Sequence, residues 1–132
     1  MIDLGKQPNY QQINIHANNE YAFRCSCQNG HIETAKYLIE IGNQPNYQQI
    51  NIHANDEYAF RYSCLNGHIE TVKYLIELGS QPNYQQINIH ADNEFAFRYS
   101  CQNGHIETVK TWKHSFQFNL PVKSTKSISG TR

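Results

Sequence analysis

The sequence has little charge, and neither sign is in excess. Only 17% of its 132 residues are charged, and 11 Lys and Arg residues balance 11 Asp and Glu residues. A chain without a basic excess lacks the attraction on which binding to nucleic acid or to an anionic membrane depends. We therefore expect neither of these as a partner.

Long apolar runs are missing as well. No stretch reaches the roughly 18 apolar residues that a membrane-spanning helix needs. The N-terminal Met-Ile-Asp-Leu-Gly carries an acid where a signal peptide has positive charge. We expect an intracellular protein without a signal peptide or a transmembrane segment.

Repetition is what the sequence does have. Near-copies of one 37-residue unit begin at Gly5, Gly42 and Gly79, and the first two copies share 31 of 37 residues. A fixed period of this size is typical of stacked repeat architectures. The sequence predicts one repeat array over residues 1–115, followed by a disordered tail at 116–132 that is rich in Ser and Lys.

Each unit contains two helix patterns. In the second unit, Asn55 or Asp56 is the predicted N-cap of a short helix that ends near Gly67. Residues 68–78 then form a second, amphipathic pattern that ends at Gly79. Such a hairpin cannot bury its apolar stripes alone and must stack on a copy of itself. We predict an all-α solenoid of helix-turn-helix repeats with long connecting loops.

Residues 66–79, Asn-Gly-His-Ile-Glu-Thr-Val-Lys-Tyr-Leu-Ile-Glu-Leu-Gly, resemble the second half of an ankyrin repeat. Residues 59–64 take the place of the family's Pro-Leu-His-x-Ala-Ala, and residues 52–54 resemble the entry to the β-hairpin finger of the ankyrin repeat. The Ile-His-Ala-Asn-Asp-Glu-Tyr-Ala form resembles the divergent ankyrin arrays of giant DNA viruses. This resemblance implies a protein-interaction scaffold, located in the host cell cytoplasm if the source is viral.

The histidines and cysteines do not form a metal-binding pattern. The densest cluster, Cys25-Ser-Cys27 near His31, lacks the two ligand pairs of a structural zinc site. Equivalent histidines of stacked units would lie about 10 Å apart, too far to share an ion. No catalytic motif is present, and His-Ile-Glu recurs in unchanged surroundings. We predict no metal, no cofactor and no enzymatic activity.

Three cysteines, Cys27, Cys64 and Cys101, occupy the position of a small buried alanine in the ankyrin pattern. We expect them to be packing residues. Thiols that are separated by a whole repeat are too distant for disulfides, which favours a reducing compartment.

The positions that differ between copies suggest a binding surface. On helix one they form a stripe with i and i+3 spacing, and further changes occur just upstream. In ankyrin proteins this side of helix one and the finger tips line the partner-binding surface. The predicted partner-binding residues are Cys25, Gln28, Asp56, Tyr62, Leu65, Asp92, Asn93, Tyr99 and Gln102. We expect the loop tyrosines Tyr47 and Tyr84 to pack against the neighbouring helix instead.

The repeat pattern ends at Thr111. Trp112 and Lys113 replace the equivalents of Leu75 and Ile76, so we expect helix two of the third unit to be disrupted. Our main hypothesis is a monomeric, non-catalytic scaffold that binds a protein partner. The alternative is a truncated remnant of a longer array with no partner of its own, and a redox or metal sensor is a third hypothesis.

Overall fold

The computed structural model describes residues 11–115, and their side chains as far as Trp112. Within this range all regular secondary structure is helical. The helices are α1 (Ala17–Gln28), α2 (Ile32–Gly42), α3 (Ala54–Leu65), α4 (Ile69–Gly79), α5 (Ala91–Gln102) and α6 (Ile106–Ser115). They pair into three antiparallel hairpins, which confirms the predicted all-α repeat fold. The predicted tail, 116–132, lies outside the described residues, so its boundary remains a prediction.

The hairpins stack through their first helices, with α1 packed on α3 and α3 on α5. Helices α1 and α3 each contribute a phenylalanine and a cysteine to the core, Phe23 and Cys27 in the first and Phe60 and Cys64 in the second. Helices α2 and α4 contribute the apolar stripe that their sequence predicted, with Val72 and Leu75 fully buried in α4. One continuous core therefore runs through all three units.

The connecting loops also belong to this core. Ile50 and Ile52 before α3, and Ile87 and Ile89 before α5, are buried although the loops around them are polar. Full burial of one isoleucine side chain stabilises a fold by roughly 1.5–3 kcal/mol. These isoleucines therefore fix each loop against the helices that it joins.

The start of every first helix differs from the predicted N-cap. Asn55, Asp56 and Glu57 adopt left-handed backbone angles, with φ of 58°, 56° and 61°, and the first and third units repeat this turn. No side chain caps the amino end of α3. The N-cap prediction for Asn55 or Asp56 is therefore wrong. Asn and Asp are the non-glycine residues that best tolerate this conformation, which explains their presence here.

The third unit differs from expectation in two ways. Helix α6 continues to Ser115, and Trp112 is buried against the rings of Phe60 and Phe97, at 6.0 and 6.2 Å between centroids. The disruption predicted for this helix is wrong, because tryptophan fills the core position that Leu75 occupies in α4. Cys101 is exposed, unlike Cys27 and Cys64. Its predicted packing role is wrong because, among the described residues, no further hairpin covers that side of α5.

Candidate partner-binding surface

A buried carboxylate joins each unit to the next. Glu57 accepts hydrogen bonds from His53 Nδ1 at 2.9 Å and from the backbone N–H of Asn88, in the following unit, at 2.7 Å. Glu20 makes the same two contacts with His16 and Asn51. The hydrogen bond between His53 and Glu57 raises the pKa of His53. These links fix the left-handed turn of one unit against the loop of its neighbour.

An arginine holds the same turn from the other side. Arg61 donates from Nε to the carbonyl oxygen of Asp56 at 2.8 Å and from Nη2 to that of Asn55 at 3.3 Å. Its guanidinium carbon lies 4.6 Å from the centre of the Phe95 ring in the next unit. Arg24 binds its own turn in the same way and lies 4.7 Å from the ring of Tyr58. Stacking on aromatic rings is a favoured contact of arginine.

Four aromatic side chains form a continuous row along the first helices of units two and three. The aromatic row consists of Tyr58, Tyr62, Phe95 and Tyr99. Successive ring centroids are 4.2, 5.3 and 4.5 Å apart, within the range of stabilising aromatic pairs. All four residues are partly buried, so each keeps part of its surface accessible. Burial raises the pKa of Tyr58.

Two of the nine predicted binding residues, Tyr62 and Tyr99, belong to this row. Tyr62 connects the units, because it stacks on Tyr58 and also contacts Phe95. The sequence predicted its exposure but not these contacts. Its ring is therefore held in place, and only part of its surface is accessible to a partner.

Three further predicted residues lie in the left-handed turns at the amino ends of α3 and α5. Asp56, Asp92 and Asn93 are exposed. Asp92 Oδ2 lies 3.5 Å from Arg61 Nη1, which connects the turn of unit three to unit two. The backbone of these turns is fixed, whereas their side chains extend into solvent.

Three of the remaining four predicted residues, Gln28, Leu65 and Gln102, are the last residues of the first helices, whereas Cys25 occupies in α1 the position that Tyr62 occupies in α3. Gln28 accepts a hydrogen bond from the hydroxyl of Tyr58 at 2.7 Å, and Leu65 and Cys25 are partly buried. Gln102 is exposed. Seven residues of helix separate Tyr58 from Leu65, or about 10 Å along the axis. Asp56, Asp92 and Asn93 thus lie at one end of the first helices, and Gln28, Leu65 and Gln102 lie at the other end. The aromatic row lies between these two groups, and Cys25 is level with it in unit one.

Sequence reasoning missed Tyr58 and Phe95 as members of this surface. The signal was present, because each precedes its row neighbour by four residues and therefore lies on the same helix face. The contact between Tyr62 and Phe95 joins two units and has no comparable local signal.

The repeated histidines have contacts within the stack. His68 packs over Gly30 and His105 over Gly67, so closely that a Cβ at either glycine would lie within 2.9 Å of the ring. Burial raises the pKa of the Cys27 and Cys64 thiols, which keeps them protonated. Among residues 11–112, no three His, Cys, Asp or Glu side chains are grouped to hold a metal ion.

The part of the chain that the structure describes contains no helix long and apolar enough to cross a membrane. The family model for ankyrin repeats (3 copies) matches residues 2–86 and 26–119. Comparisons with curated proteins and with solved structures found no match. The family match covers most of the chain and agrees with the stacked hairpins. The chain belongs to the ankyrin repeat family, whose members serve as protein-interaction modules and are generally non-catalytic.

Proposed function

We propose that this chain is a non-catalytic scaffold that binds a partner protein through the aromatic row, with Tyr62 and Tyr99 at the centre of the contact. The supporting observation is the continuity of the row across two units, with ring centroids no more than 5.3 Å apart. Tyrosine is enriched among the residues that dominate interface energetics. Rings that are already held by neighbours lose little further freedom on binding.

The two groups of predicted residues would form the margins of this interface. Asp56, Asp92 and Asn93 would offer carboxylate and amide groups on rigid turns, where they could select for donors on the partner. The second margin would consist of Gln28, Leu65 and Gln102, and Cys25 would extend the line of Tyr62 and Tyr99 into unit one. A polar rim around an aromatic centre is the usual anatomy of a protein interface.

The balanced net charge supports a protein rather than nucleic acid as the partner. The four free cysteines support a reducing, intracellular compartment. The resemblance of Ile-His-Ala-Asn-Asp-Glu-Tyr-Ala to viral arrays supports a viral source, and with it the host cell cytoplasm.

Affinity capture with matched tyrosine variants tests the proposed surface. The double variant Tyr62→Ala, Tyr99→Ala should weaken capture at least about tenfold, a loss of about 1.4 kcal/mol or more. Because Tyr62 also stacks on its neighbours, circular dichroism must show that the variant is folded at the temperature used. For each captured protein, the amount recovered with the variant is divided by the amount recovered with the wild type.

Tyr84→Ala is the matched control, since Tyr84 is half-buried in a loop and its hydroxyl is bonded to Asn43. It should lower thermal stability and leave capture unchanged. If Tyr84→Ala abolishes capture and the double variant does not, the partner binds the loop edge. If no captured protein depends on either site, the alternative of an array remnant without a partner is favoured.

A further inference from the structure

The exposed large apolar side chains are confined to the two end faces of the described stack. Five such residues occur in residues 11–112, and they are Ile13, Tyr21, Tyr37, Phe97 and Ile106. The first three lie on the outer face of unit one, and the last two lie on the outer face of unit three. Elsewhere in this range the apolar side chains of this size are buried or partly buried.

Interior copies of the same residues show what these faces are shaped to contact. Ile13 is 80% exposed, whereas its equivalents Ile50 and Ile87 are 2% exposed, because each packs on the preceding unit. Phe97 is 41% exposed, whereas Phe60 is fully buried under the following unit. In the described stack, no unit therefore covers the outer face of unit one, and no unit covers the outer face of unit three. The two faces are complementary to each other and not to themselves.

The polar groups of the two end faces match in the same way. In the interior, Glu57 accepts the backbone N–H of Asn88, whereas Glu94 is exposed and its bonded partner is His90. The loop of unit one already has the conformation that presents the equivalent N–H, which belongs to Asn14. The backbone N–H of His16 donates to Asn14 Oδ1 at 3.0 Å, as that of His90 does to Asn88 Oδ1.

Arginine and serine groups repeat this complementarity. Arg98 donates from Nε to the carbonyl oxygen of Asn93 at 2.8 Å, so its guanidinium has the same placement as that of Arg61. Arg61 stacks on the ring of Phe95 in the next unit, and the exposed Tyr21 is the counterpart of Phe95 in unit one. Ser100 donates across the interior interface to the carbonyl oxygen of Cys64 at 3.2 Å. Ser26, which has no described unit before it, turns back to the carbonyl oxygen of Ala22 instead.

We propose that unit three of one copy stacks on unit one of a second copy, with the geometry of the interior interfaces, so that chains associate head to tail. A heterologous contact of this kind does not close on itself, and it extends into short linear assemblies as concentration rises. The partner is a second copy because each interior contact already pairs the same two faces within one chain. This proposal differs from the monomer that we expected from the sequence.

Sedimentation velocity of the full chain, from micromolar to millimolar concentration, tests the proposal. The wild type should form dimers and then longer species. Ile13→Glu disables one face and Cys101→Glu the other, because both residues are exposed here whereas Ile50 and Cys64 are buried. Each variant alone should associate at least about tenfold more weakly, since a charge would be buried without a partner.

A mixture of the two variants makes the decisive measurement. Each retains the face that the other has lost, so the mixture should form a 1:1 heterodimer and nothing longer. Gln12→Glu is the matched control, since it adds the same charge beside Ile13 at a position that stays exposed in all three units. It should associate like the wild type.

Three outcomes would overturn the proposal. A wild type that is monomeric at all concentrations would show that the end faces are left bare or are covered by residues outside the described range. Variants that associate as well as the wild type would place self-association elsewhere. A mixture that stays monomeric, or that forms ill-defined aggregates, would exclude the head-to-tail arrangement.

Discussion

Replacement of Glu57 by alanine would measure how much one buried carboxylate contributes to the coupling of neighbouring units. The change removes the acceptor of the Asn88 N–H, at 2.7 Å, and of His53 Nδ1, at 2.9 Å. A buried donor left without an acceptor costs about 1–3 kcal/mol, and loss of the partly exposed histidine link adds about 0.5–1 kcal/mol. We therefore expect the free energy of unfolding to fall by about 1.5–4 kcal/mol.

The third unit supplies the control. Glu94 has nearly the same backbone conformation, with φ of 62° against 61° for Glu57, so alanine changes the backbone strain equally at both positions. Its side chain is 53% exposed, however, against 7% for Glu57, and among the described residues it bonds to no other unit. Glu94→Ala should therefore cost less than about 1 kcal/mol.

Urea unfolding, followed by far-ultraviolet circular dichroism at neutral pH, would provide both values. The protein should be dilute, so that self-association cannot give Glu94 a partner. An unchanged denaturant slope would show that the substitutions affect stability alone. Equal losses at the two positions would refute the reasoning, because the bond to the next unit would then contribute nothing measurable.

Three further predictions concern glycine, pH and local opening. Gly67→Ala should cost more than Gly104→Ala in urea unfolding: both have positive φ, 71° and 75°, but only at Gly67 would the new Cβ meet a neighbour, at 2.6 Å from His105 Nδ1. Equal costs would mean that the His105 ring moves aside freely. Because its bond to Glu57 raises the pKa of His53, the protonated ring favours the folded state. Its stabilising contribution should be complete below about pH 6.5 and be lost as pH rises through the raised pKa. His53→Gln should flatten this dependence in urea titrations, and an identical pH dependence in both proteins would contradict the assignment. Native-state hydrogen exchange of the dilute chain should show weaker protection for amides 94–114 than for 57–78, because in the described stack unit three has a neighbour on one side only. Equal protection would indicate that another surface covers that unit.

The sequence by itself determined the repeat period, the fold class and the inner side of the second helix in units one and two. Near-identity of the copies reveals the period directly. Val72 and Leu75 are spaced so that one helix face is apolar, and this local pattern needs no knowledge of the neighbours. The glycine between the helices was predictable for the same reason, since Gly67 has the positive φ that ends such a helix.

Part of the candidate surface was also predictable. Differences between copies indicated Tyr62 and Tyr99, and both lie in the aromatic row. The exposure of Asp56, Asp92 and Asn93 follows from their polar character alone. What the copies could not show is that Tyr62 and Phe95 touch, because that contact depends on how one unit stacks on the next.

Only the tertiary structure decided the start of each first helix and the role of the loops. The left-handed turn at Asn55–Glu57 opposes intrinsic backbone preference, and it is held by Arg61 and by the N–H of Asn88, which is 31 residues beyond Glu57. Likewise, Ile50 and Ile87 lie in polar loops and are buried only because a neighbouring unit covers them. A single unit buries too little apolar surface to fix its own conformation, so these features arise from contacts between units.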